Sequence, residues 1–188
     1  PAALSNRFVH LDFEVSIDDW RGWAITNKVH PLIIGFLGAR PELLFDMSNI
    51  ERAFPTPRSW HMLSDALGRF ARVSDALDVI IGIVGEGAAM EFLGYADQAI
   101  SEEAIGEIIA NPDTSKLPDN VGDQYALISY LAHQAKEAKV RKAAGILIGR
   151  FAPELGVLLA RDMIRANAKF AVDPKYLAFA AEHQDFLQ

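Results

Sequence analysis

The chain has 188 residues, of which 51% are hydrophobic and 23% are charged, so it is long enough and apolar enough to fold around a core. Its net charge of −7 is opposite in sign to the field that nucleic-acid binding requires, which disfavours DNA or RNA as a partner. The absence of cysteine excludes disulfides and thiolate zinc sites, and it fits a reducing compartment such as the cytoplasm. No apolar run reaches the roughly 20 residues that cross a bilayer, so no membrane span is predicted.

The first predicted element is a β-strand over residues 8–15. Four apolar residues, from Val9 to Val15, alternate with polar ones, which is the period of a half-buried strand. No second convincing strand follows, and a single strand cannot satisfy its own backbone hydrogen bonds. We therefore expect the other strands of its sheet to lie upstream. The chain opens at Pro1 almost directly before this strand, so we interpret it as a fragment.

The rest of the sequence has the three- and four-residue apolar spacing of helices. Helix starts are predicted at Ser16, His30-Pro31, Thr56-Pro57 and Asp173-Pro174, because capping residues and prolines favour first turns. Further helices are predicted over about 77–92, 101–110, 123–136, 139–151 and 153–169. A proline-rich loop is predicted over 41–57 and a linker over 113–122. The predicted fold class is mainly α, with one N-terminal strand followed by a helical bundle.

Two short segments carry most of the functional information. Residues 4–8 read LSNRF and directly precede the predicted strand, and residues 53–60 read AFPTPRSW across a helix start. Together with residues 30–44 (HPLIIGFLGARPELL), they resemble the C-terminal part of MoxR-like, dynein-related AAA+ ATPases. In that family an Asn-Arg-Phe run precedes the last strand of the nucleotide-binding sheet, and a Pro-Arg run opens a helix of the lid. The resemblance covers residues 1–68. Beyond residue 68 it is weaker and depends only on the general pattern of a C-terminal helical extension.

The resemblance implies three regions: residues 1–15 as the end of an α/β nucleotide-binding core, 16–72 as lid helices and 73–188 as the extension. It also implies that Arg7 is a finger offered to the nucleotide of a neighbouring subunit. Arg58, together with Pro57, would be the sensor 2 position that contacts the γ-phosphate in its own subunit. A guanidinium keeps its charge and grips phosphate oxygens through a planar fork. Taken singly, Arg7 is better explained as a surface arginine beside a strand, and Arg58 is as well explained as a solvated first-turn arginine as it is as a phosphate ligand.

The sequence lacks the G-x-x-x-x-G-K-[ST] phosphate loop and a paired-acid site for magnesium. The glycine-rich run over residues 82–89 lies inside a helical pattern, so close helix packing explains it better. We therefore expect no enzyme activity from the chain alone, and no metal site in it. ATP and Mg²⁺ would be bound only by the full-length parent. The resemblance implies that this parent is a ring of subunits that remodels a protein client, often one with a von Willebrand factor A domain.

Two other interpretations remain open. The chain could be a helical protein-interaction module with no nucleotide role, whose N-terminal strand adds to a sheet of another chain. An independent small hydrolase is disfavoured, because His61 and Asp65 lie one helical turn apart with no nucleophile in register.

Overall fold

The computed structural model describes residues 7–9, 14–48 and 52–186. Ten α-helices lie within these ranges. They are α1 (Ile17–Thr26), α2 (Pro31–Ala39), α3 (Pro57–Leu67), α4 (Leu77–Val84), α5 (Glu86–Gln98), α6 (Glu102–Ala110), α7 (Val121–His133), α8 (Ala138–Leu147), α9 (Pro153–Ala166) and α10 (Pro174–Glu182). Short 3₁₀ helices cover Pro41–Leu44, Val73–Ala76, Ala168–Val172 and Gln184–Phe186. The predicted mainly α fold class is confirmed. No helix among the described residues combines the length and the apolarity needed to cross a membrane.

The predicted N-terminal strand is not seen in the part of residues 8–15 that the structure describes. Phe8 and Val9 lie in irregular backbone with 66% and 85% of their surface exposed, and Glu14 and Val15 are also irregular. Residues 10–13, the middle of the predicted strand, lie outside the described residues. A strand needs a neighbour for its backbone groups, and residues 7–9, 14–48 and 52–186 contain no strand to pair with it. The strand's origin in an AAA+ core therefore stays a prediction.

The predicted helix starts at Ser16 and Asp173 are confirmed, because a helix start depends on the side chain that caps its first turn. The Ser16 hydroxyl accepts a hydrogen bond from the Asp19 N–H at 3.2 Å and caps α1, and Asp173 caps α10 in the same way. The single helix predicted over residues 77–92 is instead two helices, α4 and α5. They meet at Gly85, whose φ of 85° is in a region that favours glycine. A Cβ at this position would also lie only 2.5 Å from the Ala53 carbonyl oxygen.

The centre of the hydrophobic core is the contact between α2 and α7. Gly35 on α2 allows this close approach, because a Cβ there would lie 3.1 Å from the Ala126 Cα of α7 and 2.6 Å from the Tyr95 hydroxyl. Helix α9 packs against both α7 and α1. The core is thus continuous across the predicted boundary between residues 72 and 73, and that boundary stays a prediction.

An aromatic cluster attaches α3 to the rest of the bundle. Trp60 of α3 is fully buried, and its ring centroid lies 5.5 Å from that of Phe36 on α2 and 5.8 Å from that of Phe92 on α5. Its indole Nε1–H donates to the Leu43 carbonyl oxygen at 2.7 Å. Because the indole is both packed and hydrogen-bonded, the orientation of α3 relative to α2 and α5 is fixed.

A buried ion pair joins α1 to α9. Arg21 Nη2 lies 2.5 Å from Asp162 Oδ2, and the two side chains are 2% and 0% exposed. Arg21 Nη1 also donates to the Ile34 carbonyl oxygen of α2 at 3.0 Å, and the guanidinium carbon lies 5.5 Å from the ring centroid of Tyr125 on α7. This one side chain therefore contacts three other helices, and it connects the predicted lid with the predicted extension.

Candidate functional site

The predicted sensor arginine lies in the first turn of α3, behind a well-formed cap. Pro57 is the first residue of this helix and Arg58 the second. Thr56 Oγ1 accepts from the Ser59 N–H at 3.0 Å, and Ser59 Oγ accepts from the Thr56 N–H at 2.8 Å. This reciprocal capping box fixes the backbone that carries Arg58. The predicted start of this helix is confirmed.

The Arg58 side chain is exposed, and within the described ranges its guanidinium has no ion pair or hydrogen bond. The first turn of α3 contains no acidic residue. A helix N-terminus carries a partial positive charge, so a cation there is mildly unfavourable unless an anion lies close by. The arrangement leaves both the guanidinium fork and the helix end available to an anionic ligand.

Arg7, the predicted finger, lies in an exposed turn next to residues outside the described ranges. The described residues show no contact between Arg7 and Arg58, so the structure does not bring these two arginines together. The predicted roles do not require such a contact, because the resemblance assigns the two side chains to nucleotides of different subunits. Both assignments stay predictions.

A second feature is a cleft of about 570 Å³ between the α1–α2 turn, the α5–α6 connection and α7. We call it the His30 cleft. Its polar lining includes Lys28, His30, Ser64, Glu102 and His133. Sequence reasoning identified His30 only as the start of a helix and did not predict the cleft. No spacing signal was available, because its lining residues come from four separate parts of the chain, residues 28–32, 64, 96–105 and 126–134.

The His30 ring is a neutral capping group. Its Nδ1 accepts from the Leu32 N–H at 3.3 Å, while the His30 backbone N–H donates to Ser64 Oγ at 2.9 Å. Burial, and then the neighbouring His133, lower the pKa of His30. Since Nδ1 is the acceptor, the single proton of the neutral ring belongs on Nε2. His30 therefore presents an N–H donor and no charge near pH 7.

Two other groups in the cleft are also held neutral. Partial burial, and then Lys28, lower the pKa of His133, so its ring stays uncharged near pH 7. Burial, followed by the charges of Glu102 and Glu137, raises the pKa of Tyr130, so its hydroxyl keeps its proton. Lys28 and Glu102 remain as the formal charges of the lining, one of each sign.

The geometry favours binding in this cleft over catalysis. Ser64 Oγ contacts the backbone N–H of His30 and not a ring nitrogen, so the contact that activates a serine nucleophile is not made. In the described part of the chain, no three His, Cys, Asp or Glu side chains converge as a metal site.

Comparisons with known proteins do not identify a family for this chain. No family model, no curated protein and no solved structure matches the chain. The functional assignment therefore depends on the residues and their geometry.

Proposed function

We propose that this chain is the C-terminal lid and helical region of an AAA+ ATPase, an ATP-driven ring that remodels a protein client. The observation that carries the proposal is the unpaired guanidinium of Arg58 at the capped start of α3. The resemblance of residues 1–68 to MoxR-like ATPases supports the same role. Arg58 would contact the γ-phosphate of its own subunit, and Arg7 the nucleotide of the neighbouring subunit.

The electrostatics of α3 agree with this role. Six helices of this chain, α1, α4, α5, α6, α7 and α9, have acidic residues in the first turn, which is where the helix dipole stabilises them. Helix α3 has the reverse, a cation and no acid, as α8 and α10 also have. The N-caps of α8 and α10 are the acidic residues Glu137 and Asp173, whereas the N-cap of α3 is the uncharged Thr56. The helix start is well capped, but the charge that it carries is not the one that the helix dipole favours. A phosphate oxygen at this point would be stabilised both by the guanidinium fork and by the helix end.

In the parent, ATP and Mg²⁺ would be bound mainly by the missing nucleotide-binding core. This chain would contribute the two arginines and the contacts to neighbouring subunits. It would be inactive alone, because it has no phosphate loop. The client would be a protein, with a von Willebrand factor A domain as the favoured class.

The test is a pair of arginine variants in the full-length parent. We expect Arg58→Ala to lower steady-state ATP hydrolysis by roughly 10²–10³-fold, the usual effect of removing a group that stabilises transition-state charge. Arg69→Ala is the matched control. It removes the same charge from an exposed position just after the other end of α3. Circular dichroism should show that both variants are folded. A wild-type rate for Arg58→Ala would refute the proposal.

A helical interaction module without a nucleotide role is the second candidate. It is favoured by apolar side chains left at the surface, among them Leu77 and Val79 of α4 and Met90 of α5, which are 38%, 36% and 57% exposed. The same pair of variants separates the candidates. If the module has no nucleotide role, Arg58→Ala and Arg69→Ala will behave alike.

A further inference from the structure

We propose that the His30 cleft binds a small amphipathic monocarboxylate, at a site separate from Arg58. Its volume of about 570 Å³ lies within the range of roughly 300–1,000 Å³ that is typical of small-molecule sites. The apolar part of its lining includes Leu32, Ala96, Ile105 and Ala126. Such a surface accommodates an alkyl or aryl body. This inference does not depend on the proposed ATPase function.

Three polar side chains of the cleft offer donors. The His30 Nδ1 is already occupied by the Leu32 N–H, which leaves the Nε2–H to donate. The Ser64 oxygen accepts from the His30 backbone, which leaves the hydroxyl hydrogen to donate. The Lys28 ammonium makes no ion pair within the described part of the chain. Three donors around one cleft call for an acceptor-rich group.

The backbone at Lys28 adds a second, independent observation. Its φ is 57°, in the left-handed region, where glycine or asparagine is the ordinary choice after a helix. Lysine is less favourable than glycine in this conformation. Its presence there is explained if the ammonium, which lines the cleft, contacts a ligand.

The charges of the lining set the charge of the ligand. Lys28 is the cation, His30 and His133 are neutral, and Glu102 adds one negative charge. A ligand with a single negative charge is balanced by Lys28. A phosphate dianion would face Glu102 with one cation only, so a carboxylate fits better than a phosphate ester.

The test titrates the ¹⁵N-labelled 188-residue chain with octanoate and, in parallel, with octan-1-ol, which has the same chain length and no charge. We expect saturable shifts of backbone amides around the cleft, including those of Lys28, Leu32 and Tyr130. Octanoate should bind roughly tenfold more tightly than octanol, the value of one charge-assisted hydrogen bond. Equal affinities, shifts confined to other regions, or an octanoate Kd above about 10 mM would each overturn the proposal.

Two variants localise the carboxylate. Lys28→Gln should reduce octanoate affinity about tenfold and leave octanol affinity unchanged, because it removes the charge and keeps the side-chain length. Lys175→Gln, at an exposed position on α10, is the matched control and should change neither affinity. If both lysine variants bind octanoate as the wild type does, Lys28 does not hold the carboxylate and the site as proposed is wrong. Lys28 is exposed, so Lys28→Gln is expected to fold.

Discussion

Replacement of Asp162 by alanine is expected to destabilise the chain by about 3–5 kcal/mol, which is the cost of breaking a buried ion pair on one side. Asp162 and Arg21 are 0% and 2% exposed, so water does not reach either group. In the variant, Arg21 would keep one hydrogen bond, from Nη1 to the Ile34 carbonyl oxygen, and would lose its anion. Its Nε has no acceptor already, so the remaining charge would be poorly compensated.

Removing both charges is expected to be much less costly than removing one. The double variant Arg21→Met, Asp162→Leu replaces the pair with apolar side chains of similar size, and such replacements are often neutral or stabilising by about 1–4 kcal/mol. A surface pair in the same interface provides the control. Arg161 Nη2 lies 2.7 Å from Asp18 Oδ1, with the side chains 38% and 57% exposed. Asp18→Ala should therefore cost about 0–1 kcal/mol.

Urea denaturation followed by far-UV circular dichroism measures these differences, provided that the m-values of the variants agree. The expected order of stability is Asp18→Ala and the double variant close to wild type, with Asp162→Ala well below. A loss under about 1 kcal/mol for Asp162→Ala would refute the view that the pair is desolvated. A double variant as unstable as the single one would show that packing, and not the stranded charge, causes the loss.

Two further predictions concern α2 and its neighbours. Acidification from about pH 7.5 to about pH 5.5 should lower the free energy of unfolding, because folding lowers the pKa of His30 and the unfolded chain therefore takes up the proton first. His30→Asn retains a cap acceptor for the Leu32 N–H and cannot titrate. Urea denaturation at the two pH values should therefore show a smaller loss of unfolding free energy for this variant than for the wild type. An equal loss would assign the pH dependence to other groups. Gly35→Ala should destabilise by about 1–3 kcal/mol, because the new methyl group meets the Ala126 backbone. Gly94→Ala, at a position in α5 with open space around it, is the control and should stabilise by about 0.5–1 kcal/mol. Thermal denaturation of both variants measures these changes. A stabilising Gly35→Ala would contradict the close approach of α2 and α7.

The parts of the fold that could be predicted from sequence are those fixed by neighbouring residues. Ser16, Thr56 and Asp173 each form the cap that their position before a helical pattern indicated. The break at Gly85 could not be predicted in the same way, because the apolar spacing continues through it. At the junction of α4 and α5, Gly85 has a positive φ and lies against the Ala53 carbonyl, which is distant in sequence. The N-terminal strand was predicted from alternating apolar residues alone, and residues 7–9, 14–48 and 52–186 contain no strand that could pair with it.

The candidate site shows the same division. The place of Arg58 in a first turn followed from Thr56-Pro57, and its exposure agrees with the predicted role. The His30 cleft and the Arg21–Asp162 pair could not be predicted, because they depend on which helices meet. In sequence, Arg21 and Asp162 each look like an ordinary solvated charge on an amphipathic helix. Their burial becomes visible only when α1 and α9 are placed side by side.

The attachment of α3 determines what a ligand at Arg58 would move. Two residues after Arg58, the buried Trp60 packs against Phe36 of α2 and Phe92 of α5 and donates to the Leu43 carbonyl oxygen. Helix α2 in turn packs closely along α7 through Gly35. Because packed interiors transmit displacement and do not deform gradually, a shift of α3 toward a phosphate would carry α2, α5 and α7 with it. On the proposed function, nucleotide contact at Arg58 would therefore reposition the helical body as a unit, which is the movement that a neighbouring subunit or a client can sense.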